Sequence, residues 1–363
     1  MGLWTLFRRT FDCPFPTLPA LPMRPSFLLP SMALALGLFL AGNTNAQRNL
    51  DVGVQVGVDH FSGDLGNWTG PVQWNGIRPA MSITFRDYLN NPKRYITRAL
   101  TTETRLGWYR LGYNELAPTG GKAGREMRNY GRGLNFRNDL FGISQHLVLN
   151  MYREPFQPLY QQKFFAFSFI GIGLFYGRPK ADLFRGEADL ANRYYAWADG
   201  TIRDKPRGEA DANITGMDGV YETDLYSWIT EGTGGGREGH ALTKAPTPWN
   251  IGVPMGFGVR YMFTKQLSVG MELSYYLFFT DMLDGVSDRY ATYAELAAAY
   301  PDSTQQMMAR YISDPTGWGT NGEEGLYTSR RGNPGLKDSF SYLNVEVCWK
   351  FKRRPSRRSY VSL

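Results

Sequence analysis

The chain has 363 residues, 42% of them hydrophobic and 15% aromatic, with Gly 41, Tyr 22, Phe 22 and Trp 9. A mean hydropathy of −0.37, and no apolar run beyond an N-terminal one that could cross as a helix, exclude a helical membrane protein. Much of the net charge of +7 sits near the C-terminus (Lys350, Lys352, Arg353, Arg354, Arg357 and Arg358), so it gives no ground for a nucleic-acid partner.

Residues 1–46 read as an export signal. Arg24 precedes an apolar run from Phe27 to Ala41, and Thr44-Asn45-Ala46 supplies small residues for cleavage after Ala46. Met23 is a better start for this signal than Met1. No Cys follows the apolar run, so a lipid anchor is not expected. Cys13 would leave with the signal, and Cys348 alone implies a mature chain without an internal disulfide.

From residue 47 to 352 the dominant pattern is strict period-two alternation, the mark of strands with one apolar and one polar face. Strand one, Asp51–Phe61, sets Val52, Val54, Val56 and Val58 against Gly53, Gln55, Gly57 and Asp59. A Gly/Asn-rich loop, 62–73, leads to strand two, Trp74–Tyr88, where Ile77, Met81, Ile83 and Phe85 oppose Arg78, Ser82, Thr84 and Arg86. Asn90-Asn91-Pro92 makes a tight turn. Strand three, Tyr95–Tyr113, sets Leu100, Leu106 and Trp108 against Thr101, Glu103, Arg105 and Tyr109. A Gly/Arg-rich loop, 114–132, precedes strand four, Phe136–Tyr152, whose irregular parity suggests a bulge. Pro155 and Pro158 mark the next turn. Strand five, Phe164–Tyr176, is apolar on both faces, which by itself also fits a buried sandwich strand or a helix.

Residues 178–249 form a polar insertion containing Gly234-Gly235-Gly236, long enough to carry some structure of its own. The clearest alternation follows. Strand six, Ile251–Phe263, places Ile, Val, Met, Phe, Val, Tyr and Phe at every odd position, and strand seven, Leu267–Phe279, resumes the parity after a turn at 264–266. These runs are about twice the usual soluble strand length of roughly 5–6 residues, as expected where lipid covers the apolar face. Residues 281–338 form a second long connection with an expected helix from Tyr293 to Tyr311, interrupted at Pro301. Strand eight, Phe340–Phe351, alternates Leu343, Val345, Val347, Trp349 and Phe351 with Asn344, Glu346, Cys348 and Lys350. A basic tail, 353–363, ends the chain.

Eight strands joined by alternately long and short connections predict an all-β fold. The architecture is an eight-stranded antiparallel transmembrane β-barrel in the cell outer membrane, with both termini and the short turns in the periplasm and the long loops outside. Such a barrel has room inside only for side chains. The expected inward charges, Arg78, Arg86, Glu103, Arg105, Arg260, Glu272 and Glu346, must then pair with each other, giving a plugged barrel and not a pore.

Little else suggests chemistry. His60, His146 and His240 are far apart and lack metal-ligand spacing. Ser144 beside His146 is a weak hydrolase pair, and Gly171-Ile172-Gly173 lacks the helix of a dinucleotide loop. Asn67-Trp68-Thr69 and Asn213-Ile214-Thr215 match glycosylation sequons that mean little in a bacterial exported protein. No catalytic, cofactor-binding or metal-binding residues are expected.

The densest polar feature follows strand seven: Thr280-Asp281-Met282-Leu283-Asp284-Gly285-Val286-Ser287-Asp288-Arg289-Tyr290. Its carboxylates suit a cation, a docking surface, or Asx-type turns closing the outer rim. Thr280, Asp281, Leu283, Asp284, Val286, Ser287 and Tyr290 in this spacing resemble the PorG-type barrels of the type IX secretion system. Phe61-Ser62-Gly63-Asp64-Leu65-Gly66, with Asp64 and Gly66 prominent, Gly171–Tyr176 and Ile251–Gly258 agree in character. The resemblance covers most of the mature chain outside 178–249 and 291–335. It implies an outer-membrane component of the secretion and gliding machinery, embedded in outer-membrane lipid and holding a periplasmic ring of PorK- and PorN-like subunits. The enlarged loops depart from the short members of that family and leave open a stand-alone surface barrel that binds through them.

Overall fold

The computed structural model describes residues 49–66, 74–88, 99–116, 125–151, 163–231, 246–317 and 331–352. Eight long strands dominate it: β1 (Asn49–Ser62), β2 (Ile77–Tyr88), β3 (Leu100–Asn114), β4 (Asn135–Asn150), β5 (Phe164–Tyr176), β6 (Trp249–Met262), β7 (Leu267–Phe278) and β8 (Ser339–Lys352). Each pairs antiparallel with its neighbours in chain order, and β1 pairs β8 from Asn49↔Lys352 to Ser62↔Ser339. The sheet therefore closes on itself, satisfying every edge. The expected turns at 90–92 and 155–158, the signal, the tail, Gly234–Gly236, the sequon at Asn67 and His240 lie outside the described residues.

Alternation decides which way each side chain faces. Val56 is 58% exposed and Phe257 64%, while Gln55 and Glu272, one step away on the same strands as Val56 and Met271, are buried. Val54, Ile83, Ile143, Ile170, Leu273 and Val345 continue this outward wall around the cylinder. An apolar band encircling the molecule exceeds any patch that a soluble monomer tolerates, and water contact would cost roughly 25 cal/mol for each Å². The wall is stable against acyl chains, and the protein is an outer-membrane β-barrel.

Three expectations change. The β3–β4 ladder runs without a bulge from Leu100↔Leu149 to Asn114↔Asn135. Strand four's parity looked irregular because its inward face mixes Phe136, Leu140 and Val148 with Asn138, Ser144 and His146. Strand two begins at Ile77, since Trp74–Gly76 form a 3-10 turn. The loop after β3 contains a helix, α1 (Arg125–Arg132); it lacks an apolar stripe and is held by Tyr130, which packs with Leu116, Tyr194 and Ile202.

The expected break at Pro301 is present. Helices α2 (Tyr293–Ala299) and α3 (Ser303–Ser313) flank it, α2 started by a Thr292–Glu295 capping box and α3 by Asp302, whose side chain accepts from Gln305 N–H. Helix α3 carries Tyr311 and Ile312 into the same core as the barrel's Phe136, Phe278 and Phe340.

Strand approach leaves no room for a side chain at Gly57. An added Cβ would lie 2.0 Å from the Leu343 carbonyl oxygen and 2.6 Å from Asn344 Cα. Gly57→Ala is expected to destabilise the barrel by about 1–3 kcal/mol, the usual range for overpacking. Denaturant unfolding in detergent micelles would show it as a lowered midpoint with unchanged slope.

Candidate functional site

The alternation that puts valines outside puts charges inside, and closure brings them together. Three arginines and three glutamates form a continuous chain of alternating sign across the lumen. Arg260 (β6) binds Glu346 (β8) at 3.1 Å, and Glu346 binds Arg86 (β2) at 2.5 Å. Arg86 binds Glu103 (β3) at 2.5 Å, Glu103 binds Arg105 (β3) at 2.7 Å, and Arg105 binds Glu272 (β7) at 2.7 Å. All six side chains are buried. Charges taken from water cost several kcal/mol each unless paired, and here every link has a partner of opposite sign.

Neutral groups complete the shell. Thr84 Oγ1 donates to Glu346 at 2.9 Å, Gln55 Nε2 to Glu272 at 3.3 Å, and Ser82 Oγ to Gln55 Oε1 at 2.5 Å. Strand five's second apolar face has its explanation here. Arg105 lies 5.1 Å over the Phe169 ring and Arg260 4.7 Å over Phe167, so these rings cover the cations. His146, weighed in the sequence as a base for Ser144, instead places Nδ1 3.2 Å from Glu103 and stacks on Phe169, fully buried. Arg78 does not join. The β2–β3 ladder ends at Ala80, and beyond it Arg78 is partly exposed beside Asp59, its Nη1 donating to the Ile77 carbonyl.

An aromatic layer lies next to the charges. Tyr276 stacks on Phe340 at 4.4 Å, its hydroxyl is 2.9 Å from that of Tyr109, and Arg105 donates to it at 3.1 Å. Phe61, Phe136, Phe175 and Phe278 continue the same core, which then takes in Leu183, Phe184, Leu225, Leu283 and Val286 from the long outer connections. Filling and cap are one hydrophobic unit.

The motif after β7 forms that cap. Leu283, Asp284, Val286, Ser287 and Tyr290 are buried, whereas Thr280 and Asp281 are partly exposed. Thr280 Oγ1 accepts from Met282 N–H at 3.2 Å, Asp284 Oδ1 from Val286 N–H at 2.9 Å, and Asp281 Oδ2 from Ser287 Oγ at 2.7 Å. The first two are ST- and Asx-type turns closing the rim, one of the readings the sequence left open, and the third ties the motif across six residues. Asp64 Oδ2 accepts from Asn333 N–H at 2.9 Å, and Gly66, at a φ of 115° that glycine readily adopts, donates to Glu115 at 3.4 Å.

Residues that sequence reading missed hold the cap in place. Arg331 Nη1 donates to the Gly285 carbonyl at 2.6 Å and pairs with Glu231 at 3.3 Å, while Glu231 accepts from Ser287 and Asp288 N–H at 2.7 and 3.0 Å. Arg132 pairs with Glu115 and donates to the carbonyls of Arg331 and Asp64. Asp338 Oδ2 accepts from Leu283 N–H at 2.7 Å. None of these falls in an alternating run, so only proximity after folding reveals them.

Burial, reinforced by the Asp64 charge, holds the Asp284 carboxyl well above its ordinary range; burial and then Asp284 do the same for Asp338. Burial lifts Asp64 to about 6. A carboxyl that binds its proton more tightly folded than unfolded contributes stability fully present below the unfolded value and lost as pH rises through the folded one. The cap is therefore expected to be better protected near about pH 4 than near about pH 8, read by hydrogen exchange at Leu283–Asp288 N–H groups. Asp284 Oδ2 has no hydrogen-bond partner among the described residues. Asp284→Asn should therefore keep or raise cap stability at neutral pH and flatten this dependence. Asp284→Ala, which loses the acceptor for Val286 N–H, should cost about 1–2 kcal/mol. Among the described residues no three acidic, His or Cys side chains stand in metal-holding geometry.

No protein-family model matches the chain, and comparison with curated proteins finds no relative. Solved structures that it is similar to are outer-membrane proteins. Neisserial surface protein A aligns at 9% identity over 84% of this chain and 98% of that one, with a TM-score of 0.33. Ail, the attachment invasion locus protein of Yersinia pestis, aligns at 4% identity over 84% and 100%, with a TM-score of 0.30. A major outer membrane protein from Thermus thermophilus aligns at 8% identity over 83% and 99%, with a TM-score of 0.34. At those scores the barrel assignment rests on this chain's own closed ladder and apolar wall.

Proposed function

We propose that this chain is a non-enzymatic outer-membrane barrel of a type IX protein secretion and gliding machinery, holding a periplasmic ring of PorK- and PorN-like subunits to the membrane. The observation that carries the reading is the filled, self-neutralised lumen closed by the Thr280–Tyr290 motif. A barrel packed this way serves as a rigid fixture, and the motif that seals it is the one that resembles PorG-type barrels. His146, the residue a hydrolase would need, is buried against Glu103 and Phe169, which supports a role without catalysis.

Ring subunits would meet the periplasmic turns, of which the Thr264–Gln266 turn is exposed. A photo-crosslinker at Lys265 in native outer membranes is expected to capture ring subunits. Membranes that contain the ring yet give no such adduct would overturn the anchoring role. A second reading, a stand-alone barrel that binds at the cell surface, draws support from the ordered outer cap and its exposed tip at Pro206–Asp211. Excising that tip separates the two. Anchoring predicts intact secretion and unchanged surface binding, and surface recognition predicts lost binding.

A further inference from the structure

The outer rim of the barrel wall carries a graded surface on one sector only partly anticipated by alternation. Trp108 pairs with Phe141, Phe141 with Tyr176 and Tyr176 with Trp249, so four aromatics from β3, β4, β5 and β6 form one row. Phe141, Tyr176 and Trp249 are exposed, and the Tyr176 and Trp249 rings meet edge to face at 5.0 Å. A row of this kind marks the level where acyl chains give way to headgroups. It lies at the end of the strands that leads into the long loops, which is the outer leaflet.

The outward positions beyond it are mostly cationic. Arg110 pairs with Asp139 across β3 and β4, and Arg137 pairs with Lys180, which resumes the β4–β5 register after the break at 177–179. Tyr176, Arg178 and Lys180 are exposed while Gly177, Pro179 and Ala181 are buried, so the outward parity of β5 continues past its end. The Arg110, Arg137 and Arg178 side chains are 34%, 30% and 39% exposed. Two carboxylates face them. Asp139 lies 2.7 Å from Arg110 and 3.6 Å from Arg137, and Asp224, whose backbone pairs with Lys180, lies 2.8 Å from Arg178. Four cations against two anions leave a positive excess two to four residues, roughly 7–13 Å along the strands, beyond the aromatic row. The Tyr221 ring, with Arg137 4.5 Å over its centre, backs the cluster.

We propose that this sector binds the phosphate of an outer-leaflet lipid headgroup, with Arg137 and Lys180 as its principal contacts. Acyl chains would lie along Ile143, Ile170 and Phe257 while the aromatic row frames the glycosidic or glycerol region. Lipid is the occupant because the cations stand directly over a wall that only acyl chains can cover. A soluble anion would gain nothing from the apolar surface below. The inference rests on the barrel's wall and is independent of any secretion role.

The protein in maltoside micelles supplemented with phosphorylated lipid A, or with the same lipid stripped of phosphate, supplies the test, read by native mass spectrometry of retained lipid. Arg137→Gln with Lys180→Gln should lower apparent affinity for the phosphorylated lipid by roughly thirtyfold, which corresponds to about 1 kcal/mol for each cation removed. The variant's thermal unfolding midpoint should fall by no more than a few degrees, because Lys180 is exposed and Arg137 loses only a partly solvated contact with Asp139 and Tyr221. Lys265→Gln, on the periplasmic rim, should leave lipid retention at the wild-type level. Equal binding of phosphorylated and stripped lipid by wild type would overturn the proposal. So would an equal loss in Lys265→Gln, which indicates diffuse attraction, or complete displacement of lipid by equimolar inorganic phosphate, which indicates a free-anion site.

Discussion

Glu103→Ala is expected to be the most damaging single change to the barrel. Glu103 is the centre of the lumen chain, touching Arg86 at 2.5 Å, Arg105 at 2.7 Å and His146 at 3.2 Å. Its removal leaves two buried guanidiniums sharing Glu346 and Glu272 with Arg260, a net positive charge buried among side chains. Breaking a buried pair costs about 3–5 kcal/mol, against a typical total stability of about 5–15 kcal/mol. Unfolding in detergent, followed by tryptophan fluorescence, should show a loss of that order or failure to refold.

The decisive variant is Arg86→Gln with Glu103→Gln. Removing both leaves two intact pairs, Arg260–Glu346 and Arg105–Glu272. The double variant should therefore be more stable than the sum of the single losses predicts, with a coupling of about 1–3 kcal/mol. Strict additivity would show that the six groups do not act as one chain.

The second large effect concerns the cap. Arg331 is buried, and its guanidinium meets the Gly285 carbonyl, Thr230 and Glu231. Among the described residues, Arg331→Ala leaves the Glu231 carboxylate with the Ser287 and Asp288 N–H donors and strands the Gly285 carbonyl. The expected cost is about 2–4 kcal/mol, confined to the cap. Hydrogen exchange at Gly285–Asp288 should accelerate by roughly 30- to 1000-fold while β1–β8 keep their protection. Equal acceleration throughout the strands would mean that cap and barrel open together, as their shared core at Leu283, Val286 and Phe278 permits.

Contrast between these two sites also shows what was legible beforehand. Arg86, Glu103, Arg105, Arg260, Glu272 and Glu346 could be assigned inward because each shares parity with small or polar neighbours on a strand whose other face carries mainly aliphatic, methionine or aromatic residues. That pattern needs only the pleat. Arg331, Glu231, Glu115, Arg132 and Asp338 carry no such signature, since their segments follow no period and their partners lie up to 199 residues away, as Arg132 and the Arg331 carbonyl do. Arg78 shared the parity of Arg86 yet stands at the mouth, because a strand's end is set by where its neighbour leaves it.

Residue order alone determined the strands, their inward and outward faces, and the side of the membrane on which long loops lie. Those properties follow from a two-residue repeat and from lipid wetting one face, both local to each strand. Only closure of the cylinder decided which arginine meets which glutamate, that β5's phenylalanines cover guanidiniums, and that the Thr280–Tyr290 motif turns inward to seal the mouth. Such pairings depend on strands distant in the chain arriving at one height in a space too narrow for water, and no local pattern records that height.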